Sequence, residues 1–108
     1  MELARQLGPL GVDLMDCSSG ALVPHAKIPA GPGFQVPFAE RIRHETGLQT
    51  AAVGLITEPT QADQIIRHGQ ADLVFLGREF LRDPYWPLHA ARGLQQEAAV
   101  PIPYRRAF

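Results

Sequence analysis

The sequence of 108 residues has a single cysteine, Cys17, and no long apolar run. One cysteine cannot form an internal disulfide or supply a cysteine-based metal site, and this usage is typical of a reducing compartment. A membrane-spanning helix needs about 20 consecutive apolar residues, and Met1 is followed by Glu2 and Arg5 rather than by the apolar stretch of a signal peptide. These observations predict a cytoplasmic protein without a membrane partner.

The sequence also lacks an excess of charge of either sign. Its 10 lysine and arginine residues and 11 aspartate and glutamate residues give a formal net charge of -1 at pH 7. Neither the basic patch of a nucleic-acid-binding protein nor an acidic tail is visible. With 45% hydrophobic residues, the chain is expected to be soluble and globular, with no nucleic acid among its partners.

What the sequence does contain is a repeated alternation of short apolar segments, divided by 10 glycines and 10 prolines. Consecutive apolar residues predict three buried strands, at Val12–Met15, Thr50–Ile56 and Ala71–Leu76. Helical spacing predicts a helix before the first strand, further helices around 38–43 and 62–66, and two more at 79–82 and 87–94. This alternation is typical of an α/β fold with a parallel sheet.

Turn and cap residues predict where the helices begin and end. Pro37 is expected in the first turn of the second helix and Gly47 at its end. Thr57 is a candidate N-cap for the next helix, which Gly69 would terminate. The stretch from Ser18 to Pro37 is too long for a passive linker in a compact domain.

Three parallel strands cannot close a barrel, and alone they leave two unpaired edges. The chain is therefore expected to be part of something larger, or a subunit that completes itself by association. Cys17 is interpreted as a small buried core residue rather than a reactive thiol.

Chemistry in parallel α/β folds is found at the carboxyl ends of the strands. In this sequence the residues at the carboxyl ends of the three predicted strands are 16–20, Val53-Gly54 and Gly77-Arg78. Glycine lets an anion approach the main chain, and an arginine adds charge-assisted hydrogen bonds. The pattern alone leaves other readings open, because Gly77-Arg78 can be a strand stop with a surface arginine and Gly54 can serve close helix packing.

Five segments together resemble the carboxyl-terminal part of the Old Yellow Enzyme family, in its YqjM-like class: "GVDLMDCSSG", "PGFQVPFAERIR", "AVGLIT", "ADLVFLGREFLRDPYWP" and "YRRAF". The resemblance implies an FMN-containing TIM (β/α)8 barrel that takes hydride from NADPH or NADH. It delivers that hydride to the activated C=C bond of a small-molecule enone or enal. Residues 1–108 would then be one partial FMN-binding barrel domain, holding about strands 6 to 8.

The resemblance also implies which residues bind the cofactor: Gly77, Arg78, Gly54, Ser18, Ser19 and Gln35. Gly54, Gly77 and Arg78 match positions that hold the FMN phosphate, while the others match the ribityl and phosphate side. Read without the resemblance, the two serines are equally suited to capping a turn.

Two further residues match a subunit interface of the family. Arg106 matches an arginine that reaches across a dimer interface into the neighbouring active site, with Tyr104 near it. Where such relatives end in tryptophan this chain ends in Phe108. A homo-oligomer, or completion by a missing amino-terminal part, is expected on this basis.

No catalytic residue and no metal ligand is predicted in this chain. The family's substrate-anchoring histidine pair or histidine-asparagine pair, tyrosine proton donor, active-site cysteine and basic residue beside the flavin ring belong to the first five strands. The four histidines present, His25, His44, His68 and His89, do not match those positions. The alternative function is a catalytically inactive partial barrel that only binds a phosphorylated ligand or self-associates.

Overall fold

A computed structural model describes residues 1–18, 31 and 33–107. Its helices are α1 (Glu2–Leu7), α2 (Val36–Thr46), α3 (Pro59–Arg67), α4 (Arg78–Arg82) and α5 (Trp86–Gly93), followed by a 3-10 helix over Ile102–Ala107. Its strands are β1 (Leu14–Cys17), β2 (Gln49–Val53) and β3 (Leu73–Phe75). In this described part, no helix has the length and apolar character needed to cross a membrane.

The three strands form one parallel sheet in the order β1-β2-β3. Helix α2 packs on β1 and β2, and α3 packs on β3. The predicted α/β alternation with a parallel sheet is confirmed. Because all strands run in the same direction, their carboxyl ends lie along one edge of the sheet.

The predicted boundaries of α2 are confirmed by its cap geometry. Pro37 lies in the first turn, where its missing N–H costs no intrahelical bond. Gly47 follows the last turn with a φ of 74° and donates its N–H to Arg43 O. This left-handed conformation is one that glycine adopts without steric cost.

The strand boundaries differ from those predicted. β1 begins at Leu14 rather than Val12 and runs on through Asp16 and Cys17, beyond the predicted end at Met15. Asp16 continues the strand because it is exposed on the open face of the sheet, while Cys17 is buried in the core. The interpretation of Cys17 as a core residue is thereby confirmed, and burial, followed by the nearby Asp16 charge, raises its thiol pKa.

The other two strands are shorter than their apolar runs. β2 ends at Val53, because Gly54 and Leu55 take positive φ values of 121° and 50° that turn the chain away from the ladder. β3 ends at Phe75, before Leu76. In both cases apolar residues continue into the loops that follow, so apolar character alone overestimated the strand length.

Thr57 is not the N-cap of α3, which was the prediction. The cap position is Glu58, and no side chain caps the helix there. Instead, Gln61 reaches back from the first turn and its Oε1 accepts a hydrogen bond from the Thr57 N–H at 3.2 Å. Gly69 lies just beyond the end of α3, with a φ of 69°.

The two faces of the sheet have different surroundings. The core lies between the sheet and its helices and includes Cys17, Ala39, Ala52 and Ile65, with Val74 packed against them. On the opposite face, Leu73 and Phe75 are 49% and 39% exposed. Parallel sheets are normally covered on both faces, and among the described residues only one face carries helices.

A polar cluster at the amino-terminal end of β3 links three elements. Asp72 Oδ2 accepts from the Thr50 backbone N–H at 2.9 Å and lies 3.2 Å from Arg43 Nε. The other end of Arg43 donates from Nη1 to Gly69 O at 2.9 Å. Thr50 is fully buried, so its N–H depends on this carboxylate for a partner. The cluster fixes α2 against the start of β3, at the end of the sheet opposite to the predicted site.

We expect Asp72→Ala to lower the free energy of unfolding by about 1–3 kcal/mol, the usual cost of leaving a buried N–H without an acceptor. Asp63→Ala is the matched control, because Asp63 pairs with Arg67 within one helix and such pairs contribute about 0.5 kcal/mol or less. Urea unfolding followed by circular dichroism measures both. Equal losses would contradict the assignment of a structural role to the Asp72 cluster.

Candidate functional site

A groove of about 450 Å³ opens at the carboxyl ends of the three strands. It is lined by residues from the ends of all three strands and from the turn before α2. Its lining includes five residues predicted to bind the cofactor: Ser18, Gln35, Gly54, Gly77 and Arg78. A larger groove of about 750 Å³, between α5 and the residues that follow it, contains none of them. The parallel topology therefore brings together residues that are up to 60 positions apart in the sequence, from 18 to 78.

Gly54 lies where no other residue fits without strain. Its φ of 121° is rarely adopted by L side chains, and a Cβ built there would lie 2.7 Å from Gln35 Nε2 and 2.9 Å from Phe34 Cε1. Gly54 is therefore closely packed, which agrees with the packing role that the sequence left open for it. It is also compatible with a binding role, because the same residue borders the groove.

The turn before α2 is bonded to the end of β2. Gly33 donates its N–H to Gly54 O at 3.2 Å, and Gln35 donates from Nε2 to Val53 O at 3.0 Å. Gln35 is only 6% exposed, so its carboxamide is part of the wall rather than a free surface group. The two carbonyls are therefore satisfied from the protein side.

Arg78 and Arg82 both border the groove, but their charges are differently engaged. Arg82 forms an ion pair with Glu79, with Nη2–Oε2 and Nε–Oε2 distances of 2.8 and 3.0 Å. Arg78 is exposed and, within the described residues, its guanidinium has no ion-pair or hydrogen-bond partner. The Arg78 cation is consequently available to an anionic ligand, while that of Arg82 is balanced by its neighbour.

Two carboxylates line the groove, and while Glu79 is paired with Arg82, Asp16 forms no ion pair among the described residues and would repel an anion. Asp16 lines it from β1 and is exposed. Gly77 and Arg78 lie across the sheet, after β3, with β2 between them and Asp16. A ligand with a phosphate at one end would therefore place that end toward β2 and β3 rather than toward β1.

The remaining predicted residues fall into two groups. Ser19 lies outside the described residues, as do His25 and Phe108. Tyr104 and Arg106 belong to the 3-10 helix and are exposed, and neither borders the groove. Their predicted role across a subunit interface remains a prediction.

Sequence reasoning missed the contributions of Arg82, Glu79 and Phe34 to this groove. Arg82 pairs with Glu79, one helical turn earlier, rather than with its sequence neighbour Asp83. Asp83 instead contacts His89, with a distance of 2.7 Å between Oδ2 and Nδ1. The three-residue spacing of Glu79 and Arg82 was the available signal, since residues at that spacing share a helix face.

Comparison with known proteins decides the family. The profile of the NADH:flavin oxidoreductase / NADH oxidase family matches residues 1–97. The chain belongs to this family. The resemblance to Old Yellow Enzymes noted in the sequence is thereby confirmed.

Curated members of this flavin oxidoreductase family are similar to the chain over nearly its whole length. "NADPH dehydrogenase" from Geobacillus thermodenitrificans is 57% identical over 104 residues, which cover 96% of this chain and 30% of the relative. "NADPH dehydrogenase" from Halalkalibacterium halodurans is 53% identical over 106 residues, and the one from Bacillus subtilis is 50% identical over 105 residues. These matches cover 98% and 97% of this chain. The chain spans 30–31% of the length of these relatives.

We expect Gly54→Ala to lower the free energy of unfolding by about 1–3 kcal/mol, because alanine is strained at a positive φ and its Cβ would collide with Gln35 and Phe34. Gly93→Ala is the matched control. Gly93 ends α5, and a Cβ there meets no atom within 4 Å, so this change should be neutral or stabilising by up to about 1 kcal/mol. Urea unfolding of both variants measures the difference, and a Gly54→Ala variant as stable as Gly93→Ala would overturn this reading of the turn.

Proposed function

We propose that this chain is the carboxyl-terminal, FMN-phosphate-binding portion of an NAD(P)H-dependent flavin oxidoreductase. The whole enzyme would reduce activated C=C bonds of α,β-unsaturated carbonyl compounds. The observation that carries the proposal is the groove at the strand ends, where Gly54 and Gly77 border the same space as Arg78, whose guanidinium has no partner in the described part of the chain. The family membership and the name of the NADPH dehydrogenase relatives support it.

The residues around the groove fit a phosphate group. Arg78 supplies a cation without a competing carboxylate among the described residues, and guanidinium binds phosphate through paired hydrogen bonds. The absence of a side chain at Gly54 and Gly77 lets phosphate oxygens come within hydrogen-bonding distance of the main chain. Gln35 and Ser18 would line the ribityl side of the same ligand.

FMN, when bound, would supply the redox chemistry between a nicotinamide donor and the C=C bond. The chain's own residues would bind and orient it. Arg78 neutralises the phosphate charge, and the Gly54 turn sets the depth to which the phosphate enters. Substrate binding and proton donation are assigned to the part of the enzyme that precedes this portion.

The position of the chain in a barrel is also a proposal. We assign β1, β2 and β3 to strands 6 to 8 of a (β/α)8 barrel, with the exposed face of Leu73 and Phe75 turned toward the barrel interior. An amino-terminal portion, on the same or another polypeptide, would cover that face. Arg106 and Tyr104 would meet a neighbouring subunit.

We expect the 108-residue chain to quench FMN fluorescence saturably and to bind riboflavin at least about tenfold more weakly, since riboflavin lacks the phosphate. Arg78→Ala should weaken FMN binding by about 1.5–3 kcal/mol, the usual worth of a hydrogen bond to a charged group, and leave riboflavin binding unchanged. The matched control is Arg92→Ala, because Arg92 is an exposed arginine that borders the other groove.

Two outcomes would contradict the phosphate site. One is equal affinity for FMN and riboflavin in the unmodified chain. The other is an Arg92→Ala variant that loses as much FMN affinity as Arg78→Ala.

The uncovered sheet face favours a second candidate function, a catalytically inactive partial barrel that binds a phosphorylated ligand or self-associates. Exposed apolar sheet surface and unpaired edges promote association. We expect the isolated chain to sediment as an oligomer and Leu73→Lys to shift it toward monomer. Leu81→Lys is the control, because Leu81 is 83% exposed but lies on α4 rather than on the sheet.

Analytical ultracentrifugation of the three proteins measures this. A monomer with a sharp, cooperative thermal transition would contradict the expected association. Enone reduction by the isolated chain with FMN and NADPH would contradict the inactive alternative.

A further inference from the structure

Gln61 contacts the turn between β2 and α3 at two points. Its Oε1 accepts from the Thr57 N–H at 3.2 Å, and its Nε2 donates to Leu55 O at 3.4 Å. Gln61 itself is not part of the groove lining, whereas Leu55, Ile56 and Thr57 all are. A side chain outside the groove therefore bonds to the first and last residues of a three-residue segment that lines the groove.

With Gln61 included, three consecutive carbonyls, beginning with that of Val53 at the end of β2, are satisfied from the protein side. Val53 O accepts from Gln35 Nε2, Gly54 O from the Gly33 N–H, and Leu55 O from Gln61 Nε2. Backbone carbonyl oxygens repel an anion. Because these carbonyls accept hydrogen bonds from the protein and point away from the ligand, that repulsion is reduced. Successive N–H groups in such a turn are the donors that form anion-binding concavities.

The N–H groups of Leu55 and Ile56 have no hydrogen-bond acceptor within the described residues, while the N–H of Thr57 is used by Gln61. Ile56 is 3% exposed, and a buried N–H without a partner is rare in folded proteins. Two such donors in succession beside a groove that contains the Arg78 cation indicate an anionic acceptor.

Leu55 holds this turn in a conformation that leucine adopts at a cost. Its φ is 50°, in the left-handed region that costs an L residue roughly 1–2 kcal/mol. The bonds from Gln61 to Leu55 O and from the Thr57 N–H to Gln61 both lie on the carboxyl-terminal side of the strained φ, and they tie the Leu55 carbonyl and the turn after it to α3.

We propose that Gln61 is a positioning residue of the anion site: through its bonds to Leu55 O and the Thr57 N–H, it holds Leu55 left-handed and thereby presents the Leu55 and Ile56 amides to a phosphate. This inference rests on the proposed phosphate-binding function. It adds a residue that does not border the groove and assigns the Leu55–Ile56 main chain, with Gly54, Gly77 and Arg78, to the phosphate.

The test compares Gln61→Met, which keeps the size of the side chain and removes both hydrogen bonds, with Gln64→Met on the same helix. Gln64 is exposed, and no hydrogen bond of its side chain is found within the described residues. In fluorescence titrations with FMN and riboflavin, Gln61→Met should raise the Kd for FMN about tenfold, as the loss of two oriented donors implies. It should leave the Kd for riboflavin unchanged, and Gln64→Met should change neither.

A rescue variant separates positioning from general stability. Glycine adopts a positive φ without steric cost, so adding Leu55→Gly to Gln61→Met should restore part of the lost FMN affinity. The melting temperatures of the single and double variants are measured alongside, so that the change in affinity is compared with the change in stability. An absence of rescue, or a loss of riboflavin binding equal to that of FMN, would overturn the positioning role.

A ligand-free measurement keeps this inference distinct from the proposed function. In amide NMR spectra, Gln61→Met should shift the Leu55 and Ile56 resonances, and Gln64→Met should leave them in place. Unshifted resonances in Gln61→Met would overturn the role of Gln61 even where FMN binds. Shifted resonances in a chain that binds FMN no better than riboflavin would support the role of Gln61 in the turn and overturn the phosphate site.

Discussion

The bonding of the turn before α2 to the end of β2 is the constraint on which the groove depends. Gly33 and Gln35 donate to the carbonyls of Gly54 and Val53 at 3.2 and 3.0 Å. Their approach is possible only because Gly54 has no side chain, as a Cβ would lie 2.7 Å from Gln35 Nε2. If the turns separated, the groove would lose one wall and β2 would lose the geometry that ends it at Val53.

The two ends of the sheet differ in how far their polar groups are paired. At the amino-terminal end of β3, Asp72 bonds both Arg43 and the buried Thr50 N–H, so the charged groups and the Thr50 N–H are paired, although the buried Thr50 hydroxyl has no partner among the described residues. At the carboxyl ends, the Arg78 guanidinium and the Leu55 and Ile56 amides have no partners within the described residues. Unsatisfied polar groups cost stability unless a ligand supplies the partner. This contrast is the expected one for parallel sheets, in which ligands bind beyond the carboxyl ends of the strands.

The order of elements could be predicted because glycine and proline act locally. Pro37 and Gly47 bounded α2 correctly, since a fixed φ and a left-handed cap do not depend on distant contacts. The ends of the strands were harder to predict. Ile56 and Leu76 lie in loops, and their apolar character serves tertiary packing rather than a strand. The binding role of the predicted site residues stays a prediction, but the meeting of five of them in one groove was predictable from topology and from the family resemblance. Gln61 was not, because a glutamine on a helix that bonds a neighbouring loop has the same sequence pattern as one that faces water.

Burial of the sheet links this portion to the rest of the proposed enzyme. One face is covered by helices, while Leu73 and Phe75 on the other remain 49% and 39% exposed. Exposed apolar side chains on a parallel sheet favour any partner that removes them from water. If the groove binds phosphate as proposed, Gly54, Gly77 and Arg78 would need no such partner, because they come from strand ends and turns already in place. In the proposed enzyme, cofactor anchoring would then be able to precede completion of the barrel, whereas catalysis would require the residues that the covering portion brings.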